Sequence, residues 1–365
     1  MRLFKRTLTL ALSTMLLCPA SLSAADAEHY ASVFKDRSSS YILVFAFPSA
    51  VYLDWSNPSA LARTSIQSAV SQRLLGLPST IGHAQFAWSC RRPDGTLVSS
   101  GASGQSGEHN GQSLKALLAG WGMSILELVY TDGTLEGPQE VNARIHKGAR
   151  SGQFSWAGFQ VPLEQCLNLA GYVEDYARAE AYQYYGFPVD PLKLEGGGCT
   201  SYAHAALKKS GAPLPFLPMW LRDYHIPVQQ MGRQADPPPH STIVPAAQIP
   251  EREAQVALDD FVLGDQRWSA APDSEDTVHF KYYDPELFYE SFLHLENSYR
   301  ARQGLPLRNP IRTADYDRFQ RRLKDSTDNW MNSLLQANVP MQLDQIAGYS
   351  GLVVDLRQAP TTQTP

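Results

Sequence analysis

Along the first two thirds of the chain, saturated apolar runs alternate with stretches whose apolar side chains return every three or four positions. Residues 41–47 (YILVFAF) are continuous and rich in β-formers, which predicts a buried strand. Asp54, Asn57 and Pro58 lead into a helix over residues 59–75, closed by Gly76 and Pro78. A second strand is expected over 81–90 (IGHAQFAWSC), Pro93-Asp94-Gly95 as a hairpin turn, and 96–100 as the partner strand. The glycine- and serine-rich residues 99–111 read as a mobile loop. A short helix over 113–119 follows, then strands over 123–130, stopped at Asp132-Gly133, and over 153–161. Pro162 opens a long helix over 163–184, with Leu167, Ala170, Val173, Ala177 and Ala181 on its apolar stripe. Strands interleaved with helices and a hairpin indicate an α+β domain over residues 27–235.

The pattern changes at Asp236-Pro237-Pro238-Pro239-His240, which begins a linker or irregular segment over 236–272. Residues 273–352 read as a helical C-terminal region. Asp284-Pro285-Glu286 supplies a capping Asp with Pro at the first helical position, and Leu287, Phe288, Phe292, Leu295 and Tyr299 form the apolar face that follows. A further helix is expected over 314–336, and a disordered tail over 353–365.

The amino terminus has the three parts of an export signal over residues 1–25: Arg2, Lys5 and Arg6, an apolar stretch over 8–17, and small residues up to Ala25. The apolar stretch is too short to span a bilayer, and no later segment is long and apolar enough to do so. A periplasmic or secreted location is therefore expected. A formal net charge of −5, with no basic cluster, argues against nucleic acid as a partner. Four cysteines are present, and Cys18 falls within the signal. Of Cys90, Cys166 and Cys199, one arrangement is a Cys90–Cys166 disulfide with Cys199 free, and the other is three separately buried thiols.

Cys199 carries the candidate chemistry. In Gly196-Gly197-Gly198-Cys199-Thr200-Ser201-Tyr202 it stands at the start of a helix over 200–209, which ends at Ser210-Gly211. Backbone N–H groups and the helix dipole at that position favour the thiolate, and the glycines leave room for an acyl group to approach. Such a thiol works with a base, usually His. His83, on the second predicted strand and preceded by Gly82, is the leading candidate, and His279 in Val278-His279-Phe280 is the rival. Gln85 and Ser99 are the polar residues considered for a third position. His204, five residues after Cys199, turns toward another face, and a Cys199–His204 metal pair lacks further ligands. No cofactor or metal is expected.

The segment Tyr182-Gln183-Tyr184-Tyr185-Gly186, followed by Gly197-Gly198-Cys199-Thr200-Ser201-Tyr202, resembles the surroundings of the nucleophile in NlpC-type papain-like hydrolases. Gly82-His83-Ala84-Gln85-Phe86, lying before the Cys, resembles the circularly permuted branch. That branch includes lecithin:retinol acyltransferase-like proteins and the periplasmic N-terminal domain of lipoprotein transacylases. The resemblance covers residues 41–211 and departs from ordinary members at Gly198, where they often carry Asp. It implies a permuted papain-like core, an antiparallel sheet with a nucleophile helix, and a thiol hydrolase or acyltransferase acting through Cys199 and His83. The substrates it implies are peptidoglycan peptides or lipid and lipoprotein acyl groups. The alternative is an envelope binding or scaffold protein that keeps the fold without catalysis.

Overall fold

A computed structural model describes residues 38–107, 112–232, 237–244, 255–264, 267–268, 277–308 and 317–359. The expected signal peptide, and the tail beyond residue 359, lie outside the described residues, as do parts of the expected linker.

The first half contains β1 (Ser40–Ser49), α1 (Pro58–Leu75), β2 (Ile81–Arg91), β3 (Leu97–Ser106), α2 (Gln112–Leu118), β4 (Leu128–Tyr130), β5 (Thr134–Glu136), α3 (Pro138–Ser151), β6 (Ser155–Val161) and α4 (Leu163–Arg178). There follow β7 (Tyr185–Gly186), α5 (Cys199–Ser210), β8 (Leu221–Pro227), β9 (Ser241–Ile243), α6 (Leu258–Leu263), β10 (Thr277–Tyr283), α7 (Pro285–Arg302), α8 (Arg318–Gln336), β11 (Met341–Ile346) and β12 (Tyr349–Asp355). The architecture is α+β. A seven-stranded sheet runs in the order β11-β12-β6-β1-β2-β3-β5, antiparallel except where β12 lies parallel to β6.

β1 explains why its sequence shows no alternation. Ile42, Val44 and Ala46 point to the core shared with α4, α5, α7 and α8. Tyr41, Leu43, Phe45 and Phe47 point to the opposite core, under Val141, Ile145 and Ala149 of α3. A strand at the centre of a sheet covered on both faces has no polar side to show.

Local signals placed several boundaries well. Asn57 caps α1 by accepting from Ala60 N at 2.8 Å, and Gly76 ends it in the left-handed conformation. Asp284 caps α7 through Glu286 N at 2.8 Å. Four expectations fail. The mobile loop over 99–111 is, as far as Ser106, the strand β3, because its small residues fit beneath large neighbours: a Cβ on Gly101 would come within 2.5 Å of the Trp88 ring. The strand expected from 123 begins with a 3-10 turn (Gly122–Glu127), and only Leu128–Tyr130 is extended. The helix after Pro162 stops at Arg178, where Ala179 caps it and Glu180 turns left-handed. Residues 273–352 are not purely helical and 353–358 are not a tail: β12 pairs with β6 and a 3-10 turn (Leu356–Gln358) follows. The sheet thus joins segments that the sequence separates at residue 236, since β12 returns after α7 and α8 to a partner nearly two hundred positions earlier.

The junction of β1 with α7 and α8 buries carboxyl groups. Glu290 accepts from Tyr52 Oη at 2.9 Å and from Gln320 Nε2 at 2.8 Å, and Glu286 accepts from Leu53 N at 3.0 Å. Burial raises the Glu290 pKa to about 7, outweighing the lowering by the Gln320 and Tyr52 hydrogen bonds. An unfolded Glu titrates at about 4.3. The stabilising contribution of this group is therefore full below that pH and disappears as pH rises through about 7. Thermal unfolding from pH 5 to 8 is expected to show a falling midpoint. Glu290→Gln, which stays neutral, should flatten that decline; equal slopes for both proteins would contradict the assignment.

Candidate active site

The glycines before Cys199 have separate tasks. Gly196 has φ +121°, and a Cβ there would meet Tyr184 O at 2.3 Å. Gly197 N donates to Tyr184 O at 3.0 Å, which lays this turn beside β7 and brings Tyr185 to the nucleophile. Gly198 is extended at the N-cap, its N–H donates to Ser201 Oγ at 2.8 Å, and Cys199 is the first residue of α5. The helix is held against β2 and β3 through Tyr202, whose ring packs on Phe86 and whose hydroxyl lies 3.0 Å from Ser103 Oγ.

On β2, Gly82 has φ +91°, and a Cβ there would lie 2.6 Å from Pro285, the residue that opens α7. The next residue is His83. Its Nε2 is 2.7 Å from Glu136 Oε2, which leaves Nδ1 for Cys199. The two side chains are near enough for each to shift the other's titration, and the Ala84 backbone N–H also favours the thiolate. Cys199 and His83 are each buried but not sealed, at 6% and 5% exposure. Beside the sulfur runs a narrow cleft walled by Ile81, Tyr185, Phe187, Tyr282, Tyr283 and Pro285.

Glu136 was not foreseen. It stands on β5, outside β3, and reaches His83 because the middle strand has no side chain in the way. Gln85, Gly104 and Glu136 form one row across β2, β3 and β5. A Cβ on Gly104 would sit 2.4 Å from Glu136 Oε2 and 2.8 Å from Gln85 Cγ. Gln85 Nε2 donates to Glu136 Oε2 at 2.7 Å, and Arg144 of α3 pairs with the other carboxylate oxygen. Gln85 therefore bonds the acid that backs the imidazole, while Ser99 accepts from Trp88 Nε1 at 3.1 Å.

The electrostatics follow from these contacts. Burial alone raises the Cys199 pKa, but the His83 imidazole next to it, with Thr200 and the Ala84 N–H, holds it down at about 7. Burial and Arg144 lower the His83 pKa, and Glu136 with Cys199 more than reverses them, so the net shift is upward. Burial raises the Glu136 pKa, and His83, Arg144 and Gln85 together bring it well below the usual carboxylate range. The result favours a thiolate beside an imidazolium, backed by an ionised acid. Tyr185 has its hydroxyl within hydrogen-bonding reach of both the Cys199 side chain and its backbone N–H, and burial followed by the neighbouring sulfur keeps it protonated.

Glu136→Gln would keep the shape and an acceptor oxygen for His83 and Gln85, but it removes the charge and turns an amide N–H toward Arg144. The Cys199 midpoint should rise by about one unit, lowering the thiolate fraction at pH 7 by up to about tenfold. Alkylation rates measured across pH would report this, and an unchanged profile would reduce Glu136 to a packing role.

His279 and His204 stand elsewhere, and His109 lies outside the described residues. His279 is on the exposed side of β10, 2.5 Å from Asp223 Oδ1, while its strand neighbours Phe280 and Tyr282 point inward. The rival base is thus turned away from the cleft. His204 packs against the Tyr283 ring with centroids 4.4 Å apart, and burial lowers its pKa to about 4, as suits a neutral packing residue. Cys90 and Cys166 form a disulfide, and Cys199 is a free thiol.

No protein-family model matches this chain, and neither a curated protein nor a solved structure does.

Proposed function

We propose that this protein is an exported thiol hydrolase or acyltransferase built on a permuted papain-like core. The observation that carries the reading is the Cys199–His83–Glu136 relay, with the thiol at a helix N-terminus and drawn down to about pKa 7 inside a cleft. The chain order, His then acid on sheet strands and Cys later on a helix, supports the permuted arrangement. Among the described residues no helix is long and apolar enough to cross a membrane.

In the proposed reaction the Cys199 thiolate attacks the carbonyl carbon of an ester or amide, forming a C–S bond as the carbonyl π electrons move to oxygen. The Cys199 N–H and the Tyr185 hydroxyl stand where they would stabilise that oxyanion. The imidazolium of His83 gives its proton to the leaving oxygen or nitrogen, and the C–O or C–N bond breaks to leave a thioester. The neutral imidazole then takes a proton from water or an acceptor hydroxyl or amine, which attacks the thioester and releases Cys199. Glu136 keeps Nε2 protonated throughout, so that Nδ1 is the atom that exchanges protons with sulfur.

The cleft walls named above are aromatic or aliphatic and carry no charged side chain, which suits an acyl chain or the apolar part of a peptide. The test is incubation with p-nitrophenyl acyl esters of graded chain length and with peptidoglycan stem peptides, followed by intact mass measurement. An acyl adduct confined to Cys199 and absent in Cys199→Ala is the expected outcome. Release of product with no adduct and no loss in Cys199→Ala would overturn the reading. A non-catalytic scaffold would have no need of a buried carboxylate 2.7 Å from His83 Nε2, and this contact favours the catalytic reading over that alternative.

A further inference from the structure

The antiparallel ribbon of β8 and β10 has two different faces. Arg222, Tyr224 and Ile226 of β8, with Val278, Phe280 and Tyr282 of β10, are buried. Asp223, His225, His279 and Lys281 alternate with them and face outward. His225 and His279 are direct cross-strand partners, their rings stacked with centroids 4.8 Å apart and planes 7° from parallel. One ligating atom from each of Asp223, His225 and His279 lies within 4.8 Å of the others. His225 Nδ1 is shielded from water and has no hydrogen-bond partner among the described residues.

We propose that Asp223, His225 and His279 form a binding site for a divalent transition-metal ion of the zinc class. Two imidazoles and a carboxylate are the donor set such ions prefer, whereas magnesium and calcium favour all-oxygen shells. The uncommitted His225 nitrogen is a polar atom whose burial costs stability until it gains a partner, and a metal ion supplies one. Zinc–nitrogen and zinc–oxygen bonds of about 2.0–2.2 Å place donors about 3.4 Å apart, so the 2.5 Å His279–Asp223 contact must open to admit the ion while the more distant donors close on it. Side-chain rotation on the outer face of the ribbon can provide that movement without altering the strands. Water would complete the shell. Two cations among the described residues stand near the site and oppose binding: Lys281, facing outward across from Asp223, and Arg318, whose guanidinium donates to the Asp223 carbonyl oxygen at 2.7 Å.

The ion would clip β8 to β10, and Tyr282 on the opposite face of β10 walls the Cys199 cleft. This site is separate from the proposed catalytic residues and does not depend on their assignment.

The experiment is calorimetric titration of the untagged exported protein with Zn2+, in a Cys199→Ala background so that the free thiol cannot bind the ion. One Zn2+ per chain is expected. Loss of a direct ligand in His225→Ala or His279→Ala should weaken binding by more than the roughly 10–100-fold caused by removing an orienting partner. Thermal unfolding without metal checks that each variant folds. Co2+ absorption provides a second readout, with tetrahedral d–d bands lacking a thiolate charge-transfer band. Absence of stoichiometric binding by the folded parent, or undiminished affinity in either folded histidine variant, would overturn the proposal. If a histidine variant does not fold, loss of the parent's Co2+ bands on modification of His225 and His279 by diethyl pyrocarbonate supports the site, and their retention overturns it.

Discussion

Replacing His83 by alanine should move the midpoint for Cys199 alkylation from about 7 to the ordinary thiol value of about 8.5 or higher. The sign comes from the surroundings of the sulfur. Burial pushes the pKa up, and the imidazole is the largest influence pulling it down. Thr200 and the Ala84 N–H remain in the variant, but neither carries a full charge. Turnover should fall more than alkylation, by about 10²–10⁴-fold, because His83 also delivers the proton to the leaving group. The two measurements therefore separate its roles: iodoacetamide labelling followed by mass spectrometry over pH 5–10 reads the charge, and ester or amide turnover reads the proton transfer. Glu136 keeps its Arg144 pair in the variant, so the surrounding fold has a charge partner left. An unshifted labelling profile would show that the helix terminus alone activates the thiol.

The second large effect concerns the Cys90–Cys166 disulfide, which ties the end of β2 to α4 across 76 positions. Closing a loop of that length restricts the unfolded chain by an amount worth about 4 kcal/mol. Loss of the bond in a Cys90→Ala/Cys166→Ala variant should lower the thermal midpoint by on the order of 10 °C. Both cysteines are fully buried, so alanine also leaves small voids that add to the loss. Cys199 labelling at low temperature should be retained, because the His83 end of β2 is held separately by β1 and by the close approach of Gly82 to Pro285. A midpoint within a degree of the parent would mean that packing around α4 alone supplies the restraint.

These expectations rest on residues with different visibility in the sequence. Cys199 was legible because a glycine turn, a small polar residue and a helix stop all lie within about a dozen positions of it. His83 was legible as a histidine on an apolar strand, and the choice against His279 needed the knowledge that His279 occupies the outer face of the β8–β10 ribbon. Glu136 was not legible. Its three-residue strand sits between Asp132-Gly133 and Gly137-Pro138, so it reads as part of a turn. The one available hint was Gly104: a glycine inside a strand marks a place where something else comes close. What comes close is a carboxylate two strands away from His83, which no local pattern encodes.

Local chemistry alone determined the α+β alternation, the caps at Asn57 and Asp284 and the placement of a nucleophile-like thiol at a helix start, because each depends on neighbours a few positions apart. Tertiary structure alone decided that β12 returns to the central sheet, that Glu136 reaches His83 across Gly104, and that His225 and His279 come to lie against each other. Those pairings depend on strand order and register, where positions 53 or more apart become adjacent and the energetics of a charge are set by what surrounds it.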